Sequence, residues 1–438
     1  MHLPRHHSAE LRGLVLRSRE VVILAALVGA LAGLVVAGLD RLAVDEMLAN
    51  LRTRDNWVIA LAPMLGLIGS WAVRRWIGND VSPATADEYL HAFHDREHSL
   101  PLRDAGARLL AAIATVGSGV PMGLEGPALY AGAAMGSNIQ RRLPRIFRVS
   151  DHRTLLVAGG AAGVAAIFKA PATGAVFALE VPYQDDLARR MLLPALVASA
   201  SGYLTFVAII GTDPLFPVDG SPDFRLRDLL AAAALGVCAG IAARGFAALL
   251  RSAKRLAAAP RPFLRAVIAG VLLGAAFVAG RALTGASLLV GPGYEVVRWA
   301  AEPGHALLTI VSIFTLRCMA TAVAVAGGGT GGIFVPLAVG GALLGAIVGN
   351  VVGTNDPTLF IVVGVAAFLG AGYRVPLASV MFVAETTGRP SFIVPGLIAA
   401  VAGELMMGRS SVTAYQRRPD DMPDLPEPED VDAFTPDP

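Results

Sequence analysis

Apolar stretches of helical length recur along the whole chain, separated by short segments rich in Arg, Asp, Gly and Pro. They span residues 21–44, 57–77, 105–120, 124–139, 154–180, 190–211, 228–251, 263–285, 305–325, 331–351, 358–387 and 391–407. A helix that crosses a bilayer needs roughly 20 apolar residues. Several stretches meet this length, whereas others are too short or are interrupted by Gly and Pro. The pattern predicts an all-α polytopic membrane protein.

Composition and charge agree with this prediction. Of the 438 residues, 55% are hydrophobic and 16% are charged, against roughly 25% charged in soluble proteins. A soluble globular domain is therefore excluded, and no basic face or aromatic-rich sheet indicates a nucleic-acid partner. Cys238 and Cys318 lie in separate apolar stretches, so the sequence predicts neither a disulfide framework nor a metal site, and it calls for no cofactor.

An internal repeat divides the membrane region into residues 21–211 and 228–416. The segment Gly123–Pro127 is echoed by Gly332–Pro336, and both carry glycines at the same later spacing. A second pair of motifs follows, each ending in an acid: Phe168-Lys169-Ala170-Pro171 with Glu180, and Tyr373-Arg374-Val375-Pro376 with Glu385. Glycine-interrupted helices at corresponding positions of two halves are typical of transporters built from two antiparallel, inverted repeats.

The two ends of the chain differ in charge. Residues 1–20 are basic, which predicts a cytoplasmic N-terminal segment before the first span. Residues 417–438 are acidic and rich in proline, which predicts a disordered tail. We expect an integral, multi-pass protein of a bacterial-type inner or plasma membrane.

The interrupted helices carry the candidate chemistry. A helix that begins near Glu125, with Gly126 and Pro127 in its first turn, directs unpaired N–H groups and the positive end of its dipole at the preceding space. Such a terminus binds anions. The second break, at Ile333 and Phe334, supplies a matching set of amides from the other half. Uncharged donors at the membrane midplane can replace the hydration shell of an anion without holding it too tightly for transport.

Glu125 is the only charged residue between Leu109 and Gln140. An acid within a membrane is functional by default. It can compete with the transported anion for the amides and can leave them when protonated, which makes it a gate and a carrier of protons. The alternative is a helix-capping residue in a hydrated vestibule.

These motifs resemble those of the CLC chloride channels and proton/chloride antiporters, from about residue 20 to Gln416. The resemblance implies a homodimer in the lipid bilayer, with a separate pathway for chloride or another small anion in each subunit. It also implies that Glu125 is the external gating glutamate, that Gly126 belongs to the anion site, and that Ile333 and Phe334 bind the central anion through their backbone amides.

Two expected anion ligands depart from the family pattern. Asn79 stands where the resemblance places an anion-coordinating serine, and an amide can still donate a hydrogen bond. The alternative for Asn79 is an ordinary turn or helix-terminus residue. Thr413 aligns with the family's tyrosine ligand, and Tyr415 lies two residues later. Selectivity among chloride, nitrate and fluoride is therefore left open.

A third departure concerns proton coupling. The antiporters of the family generally carry two consecutive acids after the Phe-x-x-Pro motif, and here Glu180 is followed by Val181. Valine cannot relay a proton, which favours a passive channel. The alternative is a proton-coupled chloride or fluoride antiporter in which Glu180 or a nearby acid provides another route. Glu180 and Glu385 can also be purely structural residues.

The remaining candidates are weaker. Lys169 and Arg374 can attract anions to the cytoplasmic mouth of the pathway, where we also expect Glu180 and Val181, or they can be snorkelling interface residues. Ser118 and His305 can be combined into an intramembrane hydrolase, and an inverted-repeat transporter for an organic solute is a second remote alternative. Neither accounts for the repeat and its glycine-lined breaks, so the sequence predicts a protein that is not an enzyme.

Overall fold

The computed structural model describes residues 5–143, 151–216, 226–353 and 357–418, and most of these are helical. The first half contains α1 (Arg5–Asp40), which continues through a π-helical segment (Arg41–Leu48) into α2 (Ala49–Arg52), then α3 (Asn56–Trp76), α4 (Thr85–His94), α5 (Leu102–Gly117), α6 (Glu125–Arg142), α7 (Arg153–Phe168), α8 (Pro171–Glu180) and α9 (Leu192–Ile210). The second half contains α10 (Leu226–Ala257), α11 (Pro262–Thr284), α12 (Tyr294–Ala301), α13 (Leu307–Ala326), α14 (Phe334–Val352), α15 (Thr358–Tyr373), α16 (Pro376–Thr387) and α17 (Ile393–Met407).

Two long apolar stretches of the sequence each form two helices. The stretch 154–180 is broken between α7 and α8, and the stretch 358–387 is broken between α15 and α16. At both breaks a left-handed basic residue, Lys169 or Arg374, is followed two positions later by a proline that begins the next helix. Proline is favoured there because the first helical N–H has no partner within the helix. The short helices α4 and α12 were not predicted.

The two halves have the same internal packing. Helix α6 packs on α7 as α14 packs on α15, and α1 packs on α9 as α10 packs on α17. Both α6–α7 and α14–α15 cross at facing glycines, Gly132 with Gly159 and Gly341 with Gly364, where a Cβ on either partner would overlap the other's carbonyl. Small residues allow this close approach of membrane helices. The repeat seen in the sequence is therefore a repeat of the fold.

The repeats are inverted, and the pair α8–α16 shows this directly. The Glu180 carboxylate, at the end of α8, accepts hydrogen bonds from the N–H groups of Leu377 (3.0 Å) and Ala378 (2.8 Å) at the start of α16. The Glu385 carboxylate, near the end of α16, accepts from Ala172 (2.9 Å) and Thr173 (2.6 Å) at the start of α8. Each helix begins where the other ends, so the two are antiparallel.

The surface is suited to a bilayer. Within the described residues, eight helices are long and apolar enough to cross a membrane, and large apolar side chains are exposed on their outer faces. In contrast, α7 and α15 are buried along almost their whole length. The chain is a multi-pass integral membrane protein with a core of shorter, enclosed helices.

The predicted terminal segments are only partly described. From Arg5 onward the basic N-terminal segment is continuous with α1, and residues 1–4 lie outside the described part. At the other end, Arg417 pairs with the segment Pro182–Gln184 through main-chain hydrogen bonds. The rest of the predicted tail, residues 419–438, lies outside the described residues. The connection between α6 and α7 is rich in arginine, which predicts a cytoplasmic loop (the basic loop, residues 141–153). Its residues Arg145 and Arg148 also lie outside the described part.

Candidate anion site

The two glycine-rich breaks meet in the interior. Gly123 and Gly332 form an antiparallel bridge in which each N–H donates to the other's carbonyl oxygen. Helix α6 begins two residues after this bridge at Glu125, and α14 begins two residues after it at Phe334. The bridge therefore holds the N-termini of two helices, one from each repeat, at a single point. Their dipoles and unpaired amides make this point favourable for negative charge.

The carboxylate of Glu125 occupies this point. Its Oε1 accepts a hydrogen bond from the Val335 N–H at 3.1 Å, in the first turn of α14. The side chain is 3% exposed, and its Oε2 has no hydrogen-bond partner among the described residues. An acid of the first repeat thus accepts a hydrogen bond at the start of α14, from Val335 rather than from the Ile333 and Phe334 amides that the sequence assigned to an anion.

Aromatic side chains fix the start of α14. The Phe334 ring lies 4.4 Å from Phe168, 4.9 Å from Phe382 and 5.3 Å from Phe177, measured between ring centroids. All four rings are buried. Such packing holds the Phe334 and Val335 amides in place whether the carboxylate or an anion accepts from them. The site is therefore preorganised.

A cavity of about 280 Å³ leads from the protein surface to the bridge. It is lined at its inner end by Thr85, Gly332, Ile333 and Tyr373. Lys254 lies on its wall, bonded to Asp87 at 2.7 Å and to the Val412 carbonyl at 2.9 Å. Glu125 is not among the lining residues, so the carboxylate lies behind the inner end of the cavity, as a gate would.

The structure places Gly126 beside the bridge and Asn79 away from the cavity. Gly126 lies against the bridge, since a Cβ there would approach both the Thr85 hydroxyl and Gly332. Asn79 is an exposed residue in a left-handed turn after α3 and does not line the cavity. The prediction of Asn79 as an anion ligand is wrong, because the chain approaches the site three to six residues later, through Ser82 and Thr85.

Thr413 lines the cavity, but its hydroxyl is hydrogen-bonded to that of Ser411 at 2.9 Å. Tyr415 is exposed and stacks on His91, with ring centroids 4.7 Å apart. Tyr415 therefore lies away from the inner end. The segment that carries the family's tyrosine ligand does contact the cavity here, without placing a tyrosine in it.

Lys169 and Arg374 lie at opposite ends of the α8–α16 pair. Lys169 precedes α8, which has ten residues and is about 15 Å long, whereas Arg374 precedes the antiparallel α16. The prediction that Lys169 lies at the same mouth of the pathway as Arg374 and Glu180 is wrong, because the repeats are inverted. Arg374 and Glu180 line one cavity at this end of the pair. Arg153 of the basic loop and Tyr183 line a separate cavity next to it. We expect that end to be cytoplasmic.

At the Glu180 end, the carboxylate of Glu180 is bonded to the start of α16, as described above. Val181 is buried, and its carbonyl accepts from the Gln416 side-chain amide at 2.9 Å. A second cavity of about 260 Å³ adjoins Glu180 and is also lined by Asp185, Asp186 and Glu404. Three further acids therefore lie beside Glu180 at this end of the pair.

Ser118 and His305 do not form a catalytic pair. The Ser118 hydroxyl donates to the Thr115 carbonyl at 2.8 Å. The His305 ring stacks on Trp299 and is hydrogen-bonded to its carbonyl at 2.8 Å. Each is satisfied within its own segment, so the hydrolase alternative has no structural support.

The sequence interpretation missed three residues that line the cavity. Thr85 and Lys254 lie outside every recognised motif, and only the fold brings them to the site. Tyr373 carried a signal, because it is the aromatic residue of the second Phe-x-x-Pro-like motif. The motif alone did not indicate a site residue, because the equivalent residue in the first repeat, Phe168, has no polar side-chain atom.

The fold is that of an inverted-repeat membrane protein, and the two helix N-termini that converge on its buried acid form a site suited to an anion. The family profile described as Voltage gated chloride channel matches residues 65–408. The chain belongs to this CLC family, whose members are transporters or channels rather than enzymes.

Curated relatives cover most of the chain. A ClcB-like chloride channel protein of Ralstonia nicotianae is 27% identical over 378 residues, which is 84% of this chain and 86% of the relative. The H(+)/Cl(-) exchange transporter ClcA of Vibrio parahaemolyticus is 27% identical over 423 residues, covering 89% of this chain and 87% of the relative.

Solved structures share the fold. A CLC-type fluoride/proton antiporter matches with a TM-score of 0.79 at 22% identity, over 91% of this chain and 98% of that one. A slow cyanobacterial Cl-/H+ antiporter matches with a TM-score of 0.78 at 19% identity, over 89% of this chain and 94% of that one. The chain therefore has the CLC fold.

Proposed function

We propose that this protein exchanges chloride, or a similar small anion, for protons, with Glu125 as both gate and proton carrier. The hydrogen bond from the Val335 N–H to Glu125 carries the proposal. The carboxylate and an anion require the same amides at the start of α14, so only one can occupy them. Protonation removes the charge that holds the carboxylate there. Proton binding and anion binding are thereby linked at one site.

Two features bear on the choice between exchange and passive conduction. The named ClcA relative is an exchange transporter, which supports exchange. Val181 is the observation that favours a channel, because it removes the usual internal acid. The acids beside Glu180, namely Asp185, Asp186 and Glu404, offer a proton an alternative route to the cytoplasmic end. We therefore favour exchange over the passive channel that Val181 suggested.

Proteoliposomes containing the full chain test this proposal. A chloride gradient is imposed with no pH gradient, and proton movement is followed with a pH electrode or an internal dye. Exchange predicts that chloride leaving the vesicles drives protons inward, and that Glu125→Gln abolishes this proton movement while chloride still flows. Chloride flux without proton movement in the natural protein would establish the channel instead. Repeating the experiment with fluoride compares the two anions.

The resemblance also implies a homodimer, which we propose as the functional unit. The exposed leucines of α9, including Leu196 and Leu204, give the chain apolar faces suited to helix packing as well as to lipid. The mass of the protein in detergent, measured by light scattering with correction for bound detergent, tests this directly. A mass of one chain would contradict it.

A further inference from the structure

A cavity of about 710 Å³ lies at the Glu180 end of the α8–α16 pair, beside the start of α9. The basic loop before α7 forms one wall, and the segment that joins α8 to α9 forms another. Its charged and titratable lining residues are Asp151, His152, Arg153, Asp186, Arg189 and Arg190. Among the described residues, none that lines it also lines the 280 Å³ cavity of the anion site. The proposed transport therefore does not account for it.

The two acids of this cavity already have local partners. The Asp151 carboxylate accepts a hydrogen bond from the Arg153 main-chain N–H at 2.9 Å. The Asp186 carboxylate lies 3.8 Å from the guanidinium of Arg189, whose side chain is 85% exposed. Over the described parts of the chain, neither the Arg153 nor the Arg190 guanidinium forms an ion pair with an acid. Two cationic side chains at one cavity are thus without a carboxylate partner.

Arg153 is held in place, but its hydrogen-bonding capacity is not satisfied. Its guanidinium carbon lies 4.9 Å from the centroid of the buried Phe93 ring. The Arg153 Nε is buried and has no hydrogen-bond partner among the described residues, and the same holds for the neighbouring His152 Nε2. A buried polar group without a partner costs free energy, so a ligand that accepts hydrogen bonds is favoured here. The planar guanidinium group matches phosphate oxygens in a forked geometry.

Arg190 lies where α9 enters the apolar region of the protein. The helical stretch Arg189–Ile210 is apolar enough to cross a membrane. Leu192 and Leu193 begin α9 directly after the arginines, and they are 47% and 54% exposed. The basic groups are therefore followed by an exposed apolar surface, in the order in which a phospholipid carries its phosphate and its acyl chains. Basic pockets beside membrane helices on the cytoplasmic side bind the headgroups of anionic lipids.

We propose that this cavity binds the phosphate headgroup of an anionic phospholipid from the cytoplasmic leaflet. Arg153 and Arg190 donate to the phosphate oxygens, and the leucines at the start of α9 contact the acyl chains. Free phosphate offers the same oxygens but makes no contact with this apolar surface, so the combination of features fits a lipid. The binding does not depend on the proposed exchange, because it involves neither Glu125 nor the transported anion.

Native mass spectrometry of the purified full chain in detergent tests the proposal, with cardiolipin as the probe. Arg153→Gln and Arg190→Gln each remove one guanidinium group. Each is expected to raise the cardiolipin Kd about tenfold, as for the loss of a charged hydrogen bond. The Arg190 side chain is exposed, so Arg190→Gln is expected to fold and to keep the natural melting temperature, which makes it the deciding variant if Arg153→Gln is unstable.

Arg255→Gln is the matched control. Arg255 is an exposed arginine near the end of another apolar helix, α10, and it lies outside this cavity. Its removal is expected to change the cardiolipin Kd less than twofold. The proposal is overturned if Arg190→Gln binds cardiolipin like the natural protein. It is also overturned if Arg255→Gln weakens binding as much as Arg190→Gln, because general surface charge would then explain the attraction.

Two further probes identify the ligand. Phosphatidylcholine has acyl chains and a phosphate but no net charge, and it is expected to bind roughly tenfold more weakly than cardiolipin. Inorganic phosphate has no acyl chains, and millimolar concentrations are expected to leave cardiolipin bound. Equal binding of the two lipids would assign the contact to the apolar surface alone. Displacement by inorganic phosphate would make this a site for a free anion. Either result contradicts the proposal.

Discussion

Gly123 and Gly332 donate to each other's carbonyl oxygens at 3.0 and 2.7 Å, although they belong to different halves of the chain. This pair joins the two repeats at the place where both interrupted helices begin. The bridge is possible because neither residue has a side chain, and a Cβ on either one would overlap the Glu125 carboxylate. The glycines therefore provide both the junction and the space for the gate.

Gly332→Ala is predicted to displace the gate. The added methyl would occupy the position of the Glu125 carboxylate, so the acid can no longer reach the Val335 amide. We expect anion efflux from proteoliposomes at neutral pH to rise several-fold and to lose most of its pH dependence. Gly106→Ala is the control, because a Cβ there meets open space. Natural pH dependence in Gly332→Ala would show that the carboxylate does not need this space.

Glu385→Ala is predicted to destabilise the protein without altering proton coupling. The carboxylate accepts from the N–H groups of Ala172 and Thr173 and from the Thr173 hydroxyl at 2.6 Å. Loss of charged hydrogen bonds costs about 2–3 kcal/mol, so the melting temperature in detergent should fall by several degrees. Glu302→Ala, at an exposed acid, should leave it unchanged. Lost proton coupling in stably folded Glu385→Ala would instead assign this acid to the proton path.

Arg374→Ala and Lys169→Ala are predicted to differ, although the sequence places them at equivalent positions. The Arg374 side chain is 5% exposed and bonds Asp185 at 2.9 Å and Glu404 at 2.8 Å. Its removal leaves the partly buried Glu404 without its cation, which should cost about 2 kcal/mol. Lys169 donates to the Asp213 carbonyl near the surface, so its removal should cost little. Melting temperatures in detergent compare the two, and equal losses would contradict the assignment.

The sequence was sufficient for the parts of the site that lie within one motif. Isolated Glu125 and the glycine-proline breaks indicated where α6 and α14 begin, because local backbone preferences determine a helix start. The inverted relationship of Lys169 and Arg374 also followed from the repeat, but the sequence interpretation placed both at one mouth. An inverted repeat places equivalent residues at opposite ends of the membrane-spanning region.

Residues that reach the site through long-range packing were not predictable. Thr85 and Tyr373 are far apart in sequence and meet the same cavity only because α4 and α15 pack around the bridge. Asn79 was chosen by its distance from Glu125 along the chain, and an error of three to six residues in a turn moved the assignment from the cavity wall to an exposed position. The conformation of the turn determines which residues after α3 reach the cavity, and no repeated sequence pattern indicates that conformation.

The central claim is that the Glu125 carboxylate and the anion compete for the amides of α14. Calorimetry can measure the chloride affinity of the purified natural protein and of Glu125→Gln from acidic to alkaline pH. The comparison of these two proteins tests the claim most directly. Competition predicts that chloride binds more weakly to the natural protein as pH rises, whereas Glu125→Gln binds tightly at every pH. Equal affinities and equal pH dependence in the two proteins would contradict the claim.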